Sequence, residues 1–502
     1  MLKKIIMKNS GVGFLSQIFS MVFQFVCRKI FIDYFGVEIL GISSTYTYIL
    51  NTLSLAELGV QNAIIFSLYK PLNEDDRKTV NDVLNVFKLV YRFVAGFIAV
   101  AAVVCIPLLP RILSGVQIGG YVYAIFAIQV LTSVSSYLLA YKRTLLYADQ
   151  KAYIAGVIDL VFIVIFNTAE IIAIICTENY YIYFLLKLLY TVTSNLGVHL
   201  YCARHYPYLH RDRVNLDILR TVYHNVRNIF ASKIAGYIYG STDNILISAF
   251  ISTATVGYFT NYATVKTSIR SLLDSFLRPV VPIIGREINK GAADEIQTEK
   301  KYFRMYSDVR YLVACVFIIP TYLLMDNFIG MWVGKAYILP KVITILILVD
   351  LYIDIVHSST IAFIEGKGLF AVDKKLQIIG AVSNITISLA CVKPLGLPGI
   401  LFGTVVSQCI YWMTRSYVVY HSVFHEGTVS YLKYWVLNFM RILLFLVECA
   451  VASLVCRWSL PSVPLLEFVL KGFLIEGVVL TVSTMCFWHG EFRLTVKQLM
   501  KR

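Results

Sequence analysis

Residues 84–109 read LNVFKLVYRFVAGFIAVAAVVCIPLL. The two formal charges, Lys88 and Arg92, fall in the opening turns, and from Phe93 to Leu109 every residue is apolar or small. At about 1.5 Å per residue this stretch spans roughly 39 Å as a helix, more than the roughly 30 Å of a bilayer's hydrocarbon core. It is also apolar on every side, as a helix in lipid is and a surface helix is not. The stretch is therefore read as a transmembrane helix, and the fold depends on how many others resemble it.

Comparable runs lie at about 10–32, 39–69, 120–141, 153–176, 181–202, 228–251, 256–282, 306–329, 341–364, 376–392, 398–420, 434–456 and 464–487. The expected fold is an all-α integral membrane protein of about fourteen transmembrane helices. Composition agrees: 58% of the 502 residues are apolar and 15% charged, with a mean hydropathy of +0.71. A soluble domain is about half apolar and a quarter charged, so an ordinary soluble enzyme is excluded.

The net charge of +15 would point to nucleic acid in a soluble chain. Here it follows from Lys and Arg gathering in cytoplasmic loops, and no nucleic-acid partner is expected. Alternate loops, near 70–83, 141–153, 203–227, 286–304, 365–375, 415–433 and 488–502, are basic. The loops between them carry only Arg111, Lys335, Lys341, Lys393 and Arg457. Both termini are thus expected in the cytoplasm, and the start, with Lys3, Lys4 and Lys8, reads as a retained first helix. The ten cysteines form no C-x-x-C pair, and His421 and His425 have no ligand set beside them, so neither disulfides, metal nor cofactor is expected. A phosphate-binding G-x-x-x-x-G-K-[ST] loop is also missing, which removes direct ATP coupling. Outer loops of about a dozen residues argue against a polysaccharide polymerase or ligase.

The chain repeats itself. Leu40-Gly41 followed by Tyr46 returns as Val256-Gly257 followed by Tyr262, and Asp149-x-Lys151-x4-Gly156 returns as Asp373-x-Lys375-x4-Gly380. The offsets of 216 and 224 residues each equal about six helices. Six is even, so the halves face the same way, a parallel repeat about an axis along the membrane normal. The expected organisation is two pseudo-symmetric six-helix lobes, 1–205 and 206–425, plus two C-terminal helices in 426–502.

Charges within hydrocarbon cost about 2.5 to 3.5 kcal/mol each on the insertion scale and are functional candidates by default. Lys266, Arg270, Asp274 and Arg278 recur every four residues of the eighth span and form one stripe. Counted from Val256, Lys266 and Arg270 lie about 15 and 21 Å deep. A bridge from Lys266 to Asp243 is the structural alternative. It leaves Arg270 competing with Arg278 for Asp274, and a stripe of net charge plus two that would receive an anion. Arg28 near the outer end of the first span and Glu57 in LSLAELG are smaller contributors, while Lys88, Arg92 and Lys233 read as headgroup anchors. Asp350, Asp354 and His357 share one face of the tenth span, either as a proton or sodium relay or as a polar seam between helices.

The stretch RKIFIDYFGVEILGISSTYTYILNTLSLAELGVQNAIIFSLYKPL (28–72) resembles the opening of Wzx-type polysaccharide repeat-unit flippases, of the multidrug, oligosaccharidyl-lipid and polysaccharide exporter superfamily. The similarity continues in RTLLYADQKAYI (143–154), STDNILISAF (241–250), VGYFTNY (256–262) and GLFAVDKK (368–375). The resemblance implies two lobes forming a V around a central cavity with alternating access to the two leaflets. It implies as substrate an oligosaccharide on undecaprenyl pyrophosphate, moved across the bacterial plasma membrane for capsule, O-antigen or similar assembly. Lys266, Arg270, Arg278 and Arg28 then become candidates for the pyrophosphate, with Glu57 and Asp243 beside them, and Tyr46, Tyr239 and Tyr262 for stacking on sugars. Membrane lipids, a coupling ion and the polysaccharide polymerase machinery are the implied partners. A cation-coupled drug exporter of the same fold is the alternative.

Overall fold

The computed structural model describes residues 2–54, 60–210, 242–277, 295–367, 369–456 and 464–487, with positions 218 and 220. Glu57, Lys233, Tyr239 and Arg278 lie outside the described residues. In chain order the helices are α1 (Leu2–Leu53), α2 (Val60–Asn73), α3 (Arg77–Cys105), the short α4 (Leu109–Ile112), α5 (Gly120–Ala148), α6 (Ala152–Thr177) and α7 (Tyr180–His205). They continue with α8 (242–250), α9 (Thr253–Leu277), α10 (Glu295–Trp332), α11 (Lys341–Gly366), α12 (Phe370–Leu395), α13 (Leu397–Val418), α14 (Thr428–Cys456) and α15 (Pro464–Phe487). The described residues contain no strand, and nine of their helices are long and apolar enough to cross a membrane. The protein is an all-α, multi-pass membrane protein.

The span expected at 10–32 and the first part of that expected at 39–69 turn out to be limbs of one 52-residue helix, α1, broken at Gly36 (φ 76°, ψ 176°), and the end of the 39–69 span falls in α2. Only glycine occupies that conformation at little cost. The first limb runs beside α6, with Ser16 Oγ donating to the Gly156 carbonyl at 3.3 Å and Cys27 Sγ 3.6 Å from Asn167 Oδ1. The second runs beside α5, with Tyr46 against Phe126 (4.9 Å between centroids) and Leu50 among Val94, Ile98, Val130 and Val134. Helices α5 and α6 are joined by a tight turn in which Gln150 has φ 57°. They therefore run in opposite directions, and the limbs of α1 reverse with them.

The chain divides into two compact units, Met1–Gly257 and Tyr258–Arg502. In the first, α3 turns Phe87, Tyr91, Ala95 and Ile98 inward and leaves Phe93 75% and Val100 67% exposed on its other side. In the second, Leu348, Leu351 and Ile355 of α11 pack with Cys315 and Ile319 of α10. There, α14 shows Phe439, Met440 and Leu446 outward. Water would penalise such bands, and lipid does not. The last two helices join this core: Arg441 of α14 pairs with Asp308 of α10, and Tyr311 donates to the Arg441 carbonyl at 3.0 Å.

The repeated motifs occupy equivalent joints. Tyr46 donates to the Val122 carbonyl at the start of α5 (3.0 Å), and Tyr262 accepts from the Leu339 amide just before α11 (2.8 Å). Both tyrosines are fully buried. The stacking role implied for them is corrected, because neither presents a ring face to a ligand. A Cβ at Gly41 would lie 2.1 Å from the Thr253 carbonyl oxygen, and one at Gly257, the last residue of the first unit, 2.4 Å from that of Val37. The two glycines thus permit one backbone crossing. Asp149 takes a hydrogen bond from Tyr206 beyond α7 (2.5 Å), and Asp373 is held by Arg415 of α13 (2.5 and 3.1 Å).

Candidate functional site

The stripe on α9 meets a matching stripe on α11. Lys266 pairs with Asp350, and Arg270 with Asp354 at 3.2 Å. Four residues raise a helix by about 6 Å, so cations at i and i+4 on one helix fall in register with carboxylates at i and i+4 on a parallel neighbour. The expectation of an uncompensated charge is therefore corrected: these four side chains sum to zero. The carboxylate that Lys266 meets is on its neighbouring span, whereas Asp243 is half-buried in α8 of the first unit.

The two pairs differ in exposure. The Asp350 side chain is 6% exposed and Lys266 26%, while Arg270 is 54% exposed, with its nearest nitrogen 3.2 Å from Asp354. Arg270 thus keeps guanidinium donors for a second anion, whereas Lys266 and Asp350 form a buried lock. His357, on the same face of α11, is buried and belongs to another cluster. Its Nε2 is 3.5 Å from Arg415, and its ring stacks on Tyr411. The residues read as one relay divide between two networks, with Asp350 and Asp354 held by cations and His357 beside an arginine.

In the first unit a cavity of 310 Å³ lies within the helices. Its polar wall includes Ser43, Asn51, Gln129, Ser136, Lys187 and Thr191, and Gln129 donates to Ser43 Oγ at 2.8 Å. Lys187 lies over the Tyr183 ring, 4.5 Å from its centroid, with the buried carboxyl of Glu170 also acting on it. Arg28, half-buried in α1, is near the hydroxyls of Tyr183 and Tyr48. The sequence reading missed Lys187 and Glu170. Both are ionisable groups inside apolar runs, the signal that singled out the α9 stripe. Among the described residues no cluster of three His, Cys, Asp or Glu has metal-binding geometry.

A sequence profile described as polysaccharide biosynthesis protein matches residues 34–339, more than half of the chain. The chain belongs to this family. Its fold is shared with solved membrane proteins of low sequence identity. Lipid II flippase MurJ in an inward closed conformation aligns with a TM-score of 0.67 at 12% identity, over 96% of this chain and 99% of that one. An inward-facing multidrug resistance MATE family transporter of the MOP superfamily aligns with a TM-score of 0.62 at 13% identity, over 79% and 93%. A point mutant of the Vibrio cholerae MATE transporter VcmN gives 0.56 at 13%, over 83% and 96%. A comparison with curated protein sequences gives no significant match. The family profile spans the first limb's end, the polar cavity and the cations of the α9 stripe, while their partners Asp350 and Asp354 lie beyond the matched region of this polysaccharide biosynthesis protein.

Proposed function

We propose that the protein is a flippase. It moves an oligosaccharide carried on undecaprenyl pyrophosphate from the inner to the outer leaflet of the bacterial plasma membrane by alternating access, with both termini cytoplasmic, for cell-surface polysaccharide assembly. The observation that carries this reading is the chemistry of the first unit's cavity. Most of the residues lining its 310 Å³ bear a hydroxyl or an amide, with one lysine beside Leu50 and Phe184, whereas a site for an apolar drug is lined mainly by hydrophobic and aromatic side chains. Hydroxyls and amides donate and accept, as sugar hydroxyls require, and the ammonium supplies the charge that a phosphate seeks. In the second unit, Arg270 beside Asp354 is a separate anion site of the same reading, and release of Asp354 offers a place for a proton or sodium ion.

The MATE likeness favours a second reading, a cation-coupled drug exporter. Purified protein in liposomes distinguishes the two. The flippase reading expects a fluorescent lipid-linked oligosaccharide to change leaflets, and Lys187→Met or Asn51→Leu to slow it about tenfold, the loss of one charge-assisted or well-buried hydrogen bond. Transport of a cationic dye with no movement of the lipid-linked sugar would establish the exporter instead.

A further inference from the structure

Lys142 lies in the last turns of α5 and is 8% exposed. Its Nζ is 3.4 Å from Nε2 of His199. The next charge acting on both groups is another cation, Lys88. Lys88 lies over the Tyr141 ring, 5.4 Å from its centroid, and Arg92 acts on the same Tyr141. Among the described residues no carboxylate pairs with Lys142. Other largely covered lysines have one: Lys266 has Asp350, and Lys367 has Glu299.

A lysine near a membrane face normally extends its ammonium to water or headgroups. Lys142 instead stays covered next to like charge, which is unfavourable until an anion arrives. The space for that anion is present. A cavity of 160 Å³ is walled by Asn81, Asn85, Lys88, Tyr141, Lys142 and His210. Its wall is fixed: Asn85 Nδ2 donates to the carbonyls of Asn81 (3.0 Å) and His210 (3.1 Å), and Asn81 Oδ1 accepts from the His210 amide at 3.0 Å. The loop after α7 is thereby tied to α3 beside Lys88 and Lys142.

We infer that this pocket binds the phosphate group of a lipid at the membrane face where α3 begins and α5 and α7 end. Its volume is below the roughly 300 to 1,000 Å³ of sites for whole drug-sized ligands, so it takes a phosphate or pyrophosphate and not a sugar chain. Lys88, which reads in the sequence as a headgroup anchor, is then the rim of a built site. This inference stands apart from the flippase reading, since it concerns binding alone.

The test uses the full-length protein in neutral detergent and measures binding without transport. Inorganic pyrophosphate, a short-chain phosphatidylglycerol and a short-chain prenyl pyrophosphate are titrated separately. Saturable binding of at least one of the two lipid probes is expected, weakened about tenfold or more by Lys142→Gln, as removal of a charge-assisted hydrogen bond requires. Lys142→Arg should stay within about threefold, because it keeps the charge and the donors. Should Lys142→Gln fail to accumulate, Lys88→Gln at the rim carries the same expectation. Preference for the prenyl pyrophosphate identifies a substrate-like lipid, equal binding of both lipids identifies ordinary headgroups, and pyrophosphate alone identifies a soluble ligand and overturns the lipid assignment. Failure of all three probes to saturate, or equal affinity in wild type, Lys142→Gln and Lys88→Gln, overturns the site.

Discussion

At the scale of single residues, an intramembrane charge is visible in the sequence, but its partner is not. Lys266, Arg270, Asp350 and Asp354 all stand out as ionisable groups in apolar runs, yet 84 residues separate Lys266 from the carboxylate that neutralises it. Only the packing of α9 against α11 joins them, so a one-dimensional reading assigned the four residues to two functions. The energetics follow from burial. Lys266→Met removes the ion-pair partner of Asp350, which is 5% exposed, and breaking a buried pair from one side costs about 3 to 5 kcal/mol. The Lys266→Met, Asp350→Asn double variant removes both charges and should recover most of that loss. Denaturant unfolding in one fixed detergent measures it, and equal stability of the single and double variants would show that the unpaired carboxylate carries no penalty. Arg270→Met removes the more exposed cation (54%) from a carboxylate that is itself 15% exposed, so it should cost less than Lys266→Met, and Arg270→Met with Asp354→Asn at restored stability separates a transport defect from a folding one.

At the scale of elements, helix positions were legible because apolar runs of about twenty residues have one reading in a membrane. Breaks and contacts were less so. Gly36 reverses α1 with no flanking turn residues, and in the sequence it looks like any other glycine. A second missed signal is Gly399-x3-Gly403-x3-Ser407 on α13, a small-residue face of the kind that lets membrane helices approach closely. A Cβ at Gly403 would stand 2.2 Å from Ser388 Oγ and 2.7 Å from its backbone nitrogen, so α12 has to move. Gly403→Ala is expected to lower stability by about 1 to 3 kcal/mol, read as a lower unfolding midpoint. The start of α3 gives a pH prediction. Asp76 caps it, accepting from the Thr79 hydroxyl (2.6 Å) and amide (3.1 Å), and the hydroxyl's hydrogen bond chiefly holds its carboxyl below the usual aspartate range. A lowered folded pKa means the cap is complete above the ordinary aspartate value and lost as pH falls through the folded one. Hydrogen exchange in the first turn of α3 should therefore be faster in Asp76→Ala than in wild type at neutral pH, and the difference should vanish in strong acid.

At the scale of the whole molecule, the surface chemistry is that of a protein turned outward to lipid, with Phe93, Val100 and Phe439 exposed and lysine, glutamate and serine networks covered. Orientation comes from a separate quantity, the distribution of Lys and Arg among loops, which no packing argument supplies. The turn between α2 and α3 is flanked by Lys70, Arg77 and Lys78, whereas the segment between α4 and α5 follows Arg111 alone. Translocation retains positively charged short loops on the cytoplasmic side, so the first segment is expected to face inward and the second outward. Both offer exposed positions for labelling, Glu74 and Gln117. In a cysteine-free background, Gln117→Cys should react with an impermeant maleimide on intact cells. Glu74→Cys should react only after permeabilisation. Because α3 alone lies between them as a full span, the two sites must behave oppositely whatever the orientation, and the pair checks itself. Reaction of both from outside would mean that α3 does not cross the membrane, while the reverse pattern would invert the topology and place the Lys142 pocket at the outer face, away from the leaflet where a lipid-linked precursor would be loaded.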